Sequence, residues 1–308
     1  LTNLKKYDEA KKEFLKLVNG SLASSDMSLT VALLAIELDD NVLAEKYFNQ
    51  SLERGHSQPG QIYIYLSRIY EIRNDYDAAM SWVNKVSSGP NFLEAKILGA
   101  QFTAKHQTVD KALTLLDSYN SIDINEKLII LKTKASLLLS NDRGEDAYEL
   151  MKNEDNNFKD SAEFKFDYAV LSEKMGNTLL MEQLLTEAIK LKPDYAVAYN
   201  ALGYSYADRN INLDVAKRNI EIALSIQPKN HYILDSMGWV YYRLGNNKIA
   251  LEFLRKAYAA QEDPEIAAHL GEVLWKMKEK EKASKIWQSS LRNNPNNKVL
   301  LDTIDKFR

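Results

Sequence analysis

Cysteine is absent from this 308-residue sequence, and its absence removes several kinds of chemistry at once. Disulfide bonds, zinc–thiolate sites and a cysteine nucleophile are all excluded. Long apolar runs are also missing, because no stretch approaches the roughly 18 apolar residues that a membrane-spanning helix needs. The 40 basic and 43 acidic residues give a net charge of −3, and no Lys/Arg-rich run appears. The sequence therefore argues against nucleic acid as a partner.

Residues with catalytic or metal-binding potential are scarce. The four histidines, His56, His106, His231 and His269, are too far apart to form a metal-binding motif. We interpret them as surface or helix-start residues. Neither a Gly-x-Ser-x-Gly elbow nor a glycine-rich phosphate loop is present. The sequence thus predicts that the chain is not an enzyme and uses no cofactor or metal.

Two helical stripes separated by a glycine stand out in residues 233–257. The first stripe consists of Leu234, Met237, Gly238 and Tyr241, which are spaced as one face of a helix. Gly245 interrupts the pattern, and the second stripe then consists of Ala250, Leu254 and Ala257. This pattern predicts two short helices joined by a tight turn. Small residues at 238 and 250 would let the two backbones approach where the helices cross.

The same unit recurs along the chain at an interval of about 34 residues. The small position of the second helix is occupied by Ala10, Ala44, Ala79, Ala112, Ala147, Met181, Ala216, Ala250 and Ala283. Both the period and the alternation of large and small residues resemble the tetratricopeptide repeat (TPR). The sequence therefore predicts an all-α, right-handed superhelical TPR solenoid that forms one domain over residues 1–308.

The repeat phase also sets the expected boundaries of this solenoid. Residues 1–22 read as a leading half repeat, residues 25–297 as eight full repeats, and residues 298–308 as a capping helix. In the half repeat, Tyr7, Phe14 and Leu17 would lack the first helix against which they normally pack. We therefore expect the natural protein to extend further toward its N-terminus, where a signal peptide or lipidated cysteine would lie.

A second stripe of each first helix is expected to point toward the inner wall of the solenoid. In the last three repeats the predicted protein-binding residues are Asn200, Tyr204, Tyr232, Asp235, Trp239, Tyr242, Arg243, Glu272 and Trp275, with Lys276 beside them. Aromatic rings with a few polar partners suit the capture of a protein segment, because Tyr and Trp dominate binding hot spots. The alternative is that these rings merely pack between adjacent first helices. The basic clamp of chaperone-binding TPRs is missing, which argues against a chaperone co-factor.

Three strings in the C-terminal third resemble one particular family. They are residues 200–209 (NALGYSYADR), 234–245 (LDSMGWVYYRLG) and 263–275 (DPEIAAHLGEVLW). They are similar to the TPR outer-membrane lipoproteins of Gram-negative bacteria. The best understood members partner a periplasmic carboxy-terminal processing protease and help to present cell-wall hydrolases to it. The lipid-bearing cysteine of that family has no counterpart in this sequence.

This resemblance implies a non-enzymatic adaptor in the bacterial envelope that links a processing protease to its substrates. It implies a periplasmic location, with the membrane reached only through a lipid anchor in the missing N-terminus. The alternative is a TPR scaffold for the assembly of a secretion, pilus or polysaccharide-export machine. The two hypotheses differ in the partner that the chain should retain, either a protease or the components of such a machine.

Overall fold

The protein is all-α throughout the part that the structure describes. A computed structural model describes residues 24–307 and, before them, residues 6, 9, 10, 12, 13, 16 and 18. Within this part lie seventeen bounded α-helices and no strand. None of these helices is long and apolar enough to cross a bilayer. Tyr7, Phe14 and Leu17 of the predicted half repeat lie outside the described residues.

The helices follow one another as eight pairs, in which we call the members the first and the second helix. The first four pairs are α1 (Ser25–Glu37) and α2 (Asn41–Glu53), α3 (Gly60–Ile72) and α4 (Tyr76–Asn84), α5 (Phe92–His106) and α6 (Val109–Asp117), and α7 (Ile124–Leu139) and α8 (Gly144–Glu154). The next four are α9 (Ala162–Lys174) and α10 (Thr178–Leu191), α11 (Ala196–Asp208) and α12 (Leu213–Ile226), α13 (His231–Arg243) and α14 (Asn247–Ala260), and α15 (Pro264–Lys276) and α16 (Lys280–Asn293). A last helix, α17 (Lys298–Lys306), closes the chain. The predicted all-α fold of eight repeats and a capping helix is confirmed.

Side-chain caps and left-handed turn residues explain where these helices begin and end. At α15, for example, Asp263 accepts hydrogen bonds from the backbone N–H groups of Glu265 and Ile266, and Pro264 occupies the first helical position. Seven of the eight turns within pairs contain a residue with positive φ, which lets the chain reverse in a few residues. These residues are Asp39, Asn74, Asp142, Gly176, Asn210 together with Asn212, Gly245 and Lys278.

The small residues lie where the helices of a pair cross, as the sequence predicts. A Cβ atom added to Gly238 would lie 2.6 Å from Leu254 Cγ and 3.2 Å from the carbonyl oxygen of Ala250. One added to Gly271 would lie 1.9 Å from Trp287 Nε1. From Ala44 to Ala283, every residue at the predicted small position is buried, including Met181. Close backbone approach at these crossings therefore defines the phase of the repeat.

The chain divides into two compact units, which comprise residues 1–147 and 148–308. The second unit contains α9 to α17 and all of the predicted binding residues. Its core is built from the facing sides of paired helices, with Ala250, Leu254 and Trp287 among its buried residues. The prediction of one continuous domain remains a prediction.

Candidate protein-binding surface

The predicted binding residues lie on three neighbouring first helices of the second unit. Helix α11 packs beside α13, and α13 packs beside α15. The side chains at the predicted inner-wall positions of these helices form one surface, together with Glu173 of the preceding first helix α9. We call this surface the first-helix face. Consecutive repeats bring their equivalent positions side by side, so residues about one repeat apart become neighbours.

Polar contacts tie the three helices of the first-helix face together. The guanidinium group of Arg243 on α13 donates a hydrogen bond of 3.0 Å to the carbonyl oxygen of Asp208 on α11. The hydroxyl group of Tyr242 donates a hydrogen bond of 2.9 Å to the carboxylate of Glu272 on α15. These contacts fix the orientation of the side chains that would meet a partner.

A buried histidine–carboxylate pair lies between α13 and α15. Nδ1 of His269 is 2.9 Å from Oδ2 of Asp235, and both side chains are only 9% exposed. Burial is the largest single effect and lowers the pKa of His269, but the charge and hydrogen bond of Asp235, with the charges of Asp208 and Glu272, together raise the pKa above its ordinary value of 6.5. The ring of Trp239 stacks on His269 at a centroid distance of 4.1 Å. Arg243 covers Trp239 at 4.6 Å from the ring centroid.

Negative charge gathers around Tyr204 on this face. Burial raises the pKa of the Tyr204 phenol, and the carboxylates of Asp208, Asp235, Glu265 and Glu173 raise it further. Burial likewise raises the pKa of Glu265, with Asp263 and Asp235 adding to the shift. Three side-chain atoms of the predicted binding residues are buried without a hydrogen-bond partner in the described chain, namely Asn200 Oδ1, Trp239 Nε1 and Arg243 Nε.

The nine predicted residues differ in how far they reach the surface. Tyr232 is 54% exposed and offers the largest accessible ring. Five are half-buried, namely Asn200, Tyr204, Tyr242, Arg243 and Trp275. Three are buried, namely Asp235, Trp239 and Glu272. The adjacent first helices close over these three, which therefore support the face from below.

Trp275 has a packing role that the sequence pattern does not indicate. Its ring lies 5.8 Å from that of Trp287 and 5.7 Å from that of Phe307, measured between centroids. The cap α17 packs against α15, where the first helix of another repeat would otherwise lie, and the residue after it, Phe307, meets Trp275. Part of the Trp275 side chain is thus packed in the core and part is at the surface, so less of its ring is accessible to a partner.

Sequence reasoning missed several members of this face. The interpretation of His269 as a surface or helix-start residue is wrong, because its ring is buried against Asp235 and Trp239. Asp208 and Glu265 were also overlooked. A signal existed, since Asp235 and His269 are 34 residues apart and so lie at adjoining positions of consecutive repeats. Among the described residues, no group of three or more His, Asp or Glu side chains is placed to hold a metal ion.

Known proteins resemble this chain through its repeats. Residues 232–264, which cover most of the α13–α14 pair, match the tetratricopeptide repeat family. The TPR repeat-containing protein PA4667 of Pseudomonas aeruginosa is 33% identical over 207 residues. This alignment covers 67% of the present chain and 35% of the relative, so the chain spans about a third of the relative's length.

Solved structures share the fold at lower sequence identity. A tetratricopeptide repeat protein from Parabacteroides merdae superposes with a TM-score of 0.53 at 14% identity, covering 91% of this chain and 97% of the other. A thermophilic TPR protein from Thermus thermophilus gives a TM-score of 0.50 at 21% identity, covering 56% and 93%. Paired helices, close crossings at a 34-residue period and these similarities lead to one conclusion: the chain belongs to the tetratricopeptide-repeat proteins.

Proposed function

We propose that this chain is a non-enzymatic adaptor that binds other proteins through the first-helix face. The observation that carries the proposal is the concentration of aromatic and charged side chains on α11, α13 and α15, held in place by contacts between helices. Tyr232 and the half-buried Tyr204 supply rigid rings at the surface. Rings of this kind contribute most of the binding energy at protein interfaces. TPR folds typically act as scaffolds for protein interactions, which agrees with this reading.

For the partner, we propose a periplasmic carboxy-terminal processing protease and its cell-wall hydrolase substrates. The support is the resemblance of residues 200–209, 234–245 and 263–275 to envelope lipoproteins that serve such a protease. Those three segments belong to α11, α13 and α15, so the resemblance coincides with the first-helix face. The adaptor would bring enzyme and substrate into contact and raise their effective concentration.

For the location, we propose the periplasm, with attachment to the outer membrane as a lipoprotein. The same resemblance supports this proposal. Fractionation of cells that express the protein from its natural gene tests it directly. Recovery in the outer-membrane fraction, with retention of the unprocessed precursor in the inner membrane after treatment with a lipoprotein-processing inhibitor, is the expected result. Recovery in the cytoplasm would overturn it.

Affinity purification of the tagged protein from its natural host tests the partner. We expect the processing protease to co-purify. Tyr232→Ala should weaken the free energy of binding to the protease by about 2 kcal/mol, as for a hot-spot aromatic, and so reduce the amount retained. Leu179→Ala is a matched control, because Leu179 is a large apolar residue that is 80% exposed on the second helix α10. Co-purification of secretion, pilus or polysaccharide-export components in place of a protease would favour the alternative scaffold function.

A further inference from the structure

A cavity of about 270 Å³ lies in the first unit, between the second helices α4 and α6 and the first helix α5. Its wall is mainly apolar and includes Met80, Val83, Phe92 and Leu115. Gly99 on α5 forms the part of the wall that has no side chain. The cavity therefore lies among apolar groups that would normally pack against one another.

The cavity exists because α5 has a glycine where the other repeats have a larger residue. The small position of a first helix precedes that of its second helix by twelve residues, as Gly238 precedes Ala250. By this spacing Ala100 is the small position of α5, and Gly99 lies one residue before it. The residues at the position of Gly99 in the other seven repeats are Val31, Leu66, Lys134, Tyr168, Leu202, Met237 and Leu270.

The backbone does not require glycine at position 99. Gly99 has no positive φ, and the three nearest atoms to an added Cβ would be side-chain atoms. They are Val83 Cγ1 at 3.2 Å, and Leu115 Cδ2 and Met80 Cε at 3.8 Å each. Side chains that border an empty space lose the contacts that close packing provides. An apolar ligand that entered the cavity would restore these contacts.

Lys96 adds a positive charge to the border of the cavity. It is half-buried and lies three residues before Gly99, with its Nζ atom 5.3 Å from the centroid of the Phe92 ring. No Asp or Glu side chain lines the cavity, and Lys96 forms no ion pair within the described residues. A ligand with an anionic end would therefore meet a cation beside an apolar wall.

The carboxylates that flank this part of the chain have partners of their own. Glu94, two residues before Lys96, forms an ion pair of 3.3 Å with Arg68. Glu126 accepts a hydrogen bond of 2.7 Å from the hydroxyl group of Tyr119. Neither carboxylate is engaged by Lys96, so the ammonium group remains available to a ligand.

The size of the cavity indicates a small molecule. An engineered cavity of about 150 Å³ holds benzene, so a cavity of about 270 Å³ has room for on the order of ten non-hydrogen atoms. Small-molecule sites bury most of their ligand in pockets that begin at about 300 Å³. A stable protein interface instead needs about 800 Å² of surface on each partner.

We propose that the cavity beside Gly99 binds a small amphiphilic carboxylate of about this size. Its apolar chain lies in the space left at position 99, between α4 and α6, and its carboxylate lies at the border beside the ammonium group of Lys96. The site is in the first unit and uses no residue of the first-helix face. It therefore adds a small-molecule ligand to the chain and does not depend on the proposed protein partner.

Isothermal titration calorimetry on the intact protein tests the site with two probes. Octanoate is a carboxylate of suitable size, and octanamide is its neutral counterpart. We expect octanoate to bind with one-to-one stoichiometry and about fivefold more tightly than octanamide, as for an ion pair near the surface. Uptake of octanoate without saturation, or equal affinity for the two probes, would overturn the proposal.

Methyl NMR spectra determine where octanoate binds. The methyl carbon of Met80 lies 3.8 Å from the Cβ position on Gly99, so octanoate should shift the Met80 signal. Met237 is buried in the second unit, and its signal should stay in place. If octanoate binds and the Met80 signal does not move, the site lies elsewhere and the proposal is wrong.

Gly99→Leu fills the cavity with the side chain that Leu66 and Leu270 supply in their repeats. It should weaken the binding of both probes at least tenfold while the protein keeps its helical circular dichroism. Leu115→Phe narrows the cavity from α6 and makes the same test if Gly99→Leu does not fold. A folded variant of either kind with wild-type affinity would contradict binding in this cavity.

Lys96→Met tests the role of the charge. It should lower the affinity for octanoate to that for octanamide and leave the affinity for octanamide unchanged. Lys46→Met is the matched control, because Lys46 is exposed on α2, has its Nζ atom 5.4 Å from the centroid of the Tyr47 ring and does not line the cavity. If Lys96→Met still prefers octanoate, or if Lys46→Met loses the preference equally, Lys96 does not hold the carboxylate.

Discussion

His269 lies 2.9 Å from Asp235, with one residue on α15 and the other on α13, and both side chains are buried. The pair joins consecutive repeats through a charge-assisted contact at the base of the first-helix face. Asp208 and Glu272 also favour the charged form of the imidazole. Protonation of one side chain is therefore linked to the packing of two repeats.

The stability of the protein should depend on the protonation of His269. Its folded pKa is raised above 6.5, so the stabilisation is complete below about pH 6.5 and is lost as the pH rises through the folded pKa. Asp235→Asn should remove most of this dependence. Chemical denaturation at a series of pH values measures how the free energy of unfolding depends on pH.

A histidine outside the cluster provides the control. His106 is exposed at the end of α5, and His106→Gln should leave the pH profile unchanged. At neutral pH, His269→Ala should cost about 3 kcal/mol, because it leaves the buried carboxylate of Asp235 unpaired. A pH profile that is the same in the wild type and in Asp235→Asn would rule out this linkage.

The crossing of α13 and α14 leaves no space for a larger residue at position 250. Its side chain is fully buried, and its carbonyl oxygen would lie 3.2 Å from a Cβ atom on Gly238. We expect Ala250→Leu to destabilise the protein by about 1–3 kcal/mol through overpacking. Ala259→Leu is the control, since Ala259 is exposed on the same helix. If Ala250→Leu and Ala259→Leu have the same melting temperature, the assigned crossing is wrong.

Lys278 has a backbone conformation that suits glycine better. Its φ is 67° in the turn between α15 and α16, where the equivalent turn of the preceding repeat has Gly245 with a φ of 80°. A left-handed conformation is unfavourable for residues with a Cβ atom. Relief of this strain in Lys278→Gly should therefore stabilise the protein by about 0.5–1 kcal/mol. The larger conformational entropy that glycine loses on folding reduces this gain.

The reverse substitution at the preceding turn tests the same explanation. A Cβ atom on Gly245 would meet no atom within 4 Å, so Gly245→Ala probes backbone strain without a steric clash. We expect it to destabilise the protein by about 1 kcal/mol in denaturant titrations. If both substitutions shift stability in the same direction, the strain at position 278 is not the cause.

The sequence predicts those features that a single repeat determines by itself. Gly238 and Ala250 are recognisable because the crossing of two adjacent helices requires small residues at a fixed spacing. The burial of Trp239 depends instead on how closely α15 packs against α13, and no periodic pattern reports that distance. His269 was misread for the same reason, since its partner Asp235 belongs to the previous repeat. The 34-residue separation of Asp235 and His269 indicates that they lie near each other, but the packing of α15 against α13 is what shows that they pair.

The two C-terminal tryptophans should respond differently to truncation. Trp287 is 3% exposed, and its Nε1 atom donates a hydrogen bond of 3.4 Å to the carbonyl oxygen of Ala268. Trp287→Ala should therefore cost about 3–5 kcal/mol, as for other large buried side chains. Trp275 is half-buried, and two ring contacts at about 0.5–1.5 kcal/mol each suggest a loss of about 1–3 kcal/mol for Trp275→Ala.

Binding separates the two tryptophans more clearly than stability does. Trp275 keeps part of its ring on the first-helix face, with the Nζ atom of Lys280 4.7 Å from the ring centroid. Trp275→Ala should weaken partner binding at temperatures where the variant is fully folded, as judged by its far-UV circular dichroism. Phe307→Ala is the control, because it removes one of the same ring contacts from the residue that follows α17. If Phe307→Ala impairs binding as much as Trp275→Ala does, the ring of Trp275 acts through the packing of the cap and not through contact with the partner.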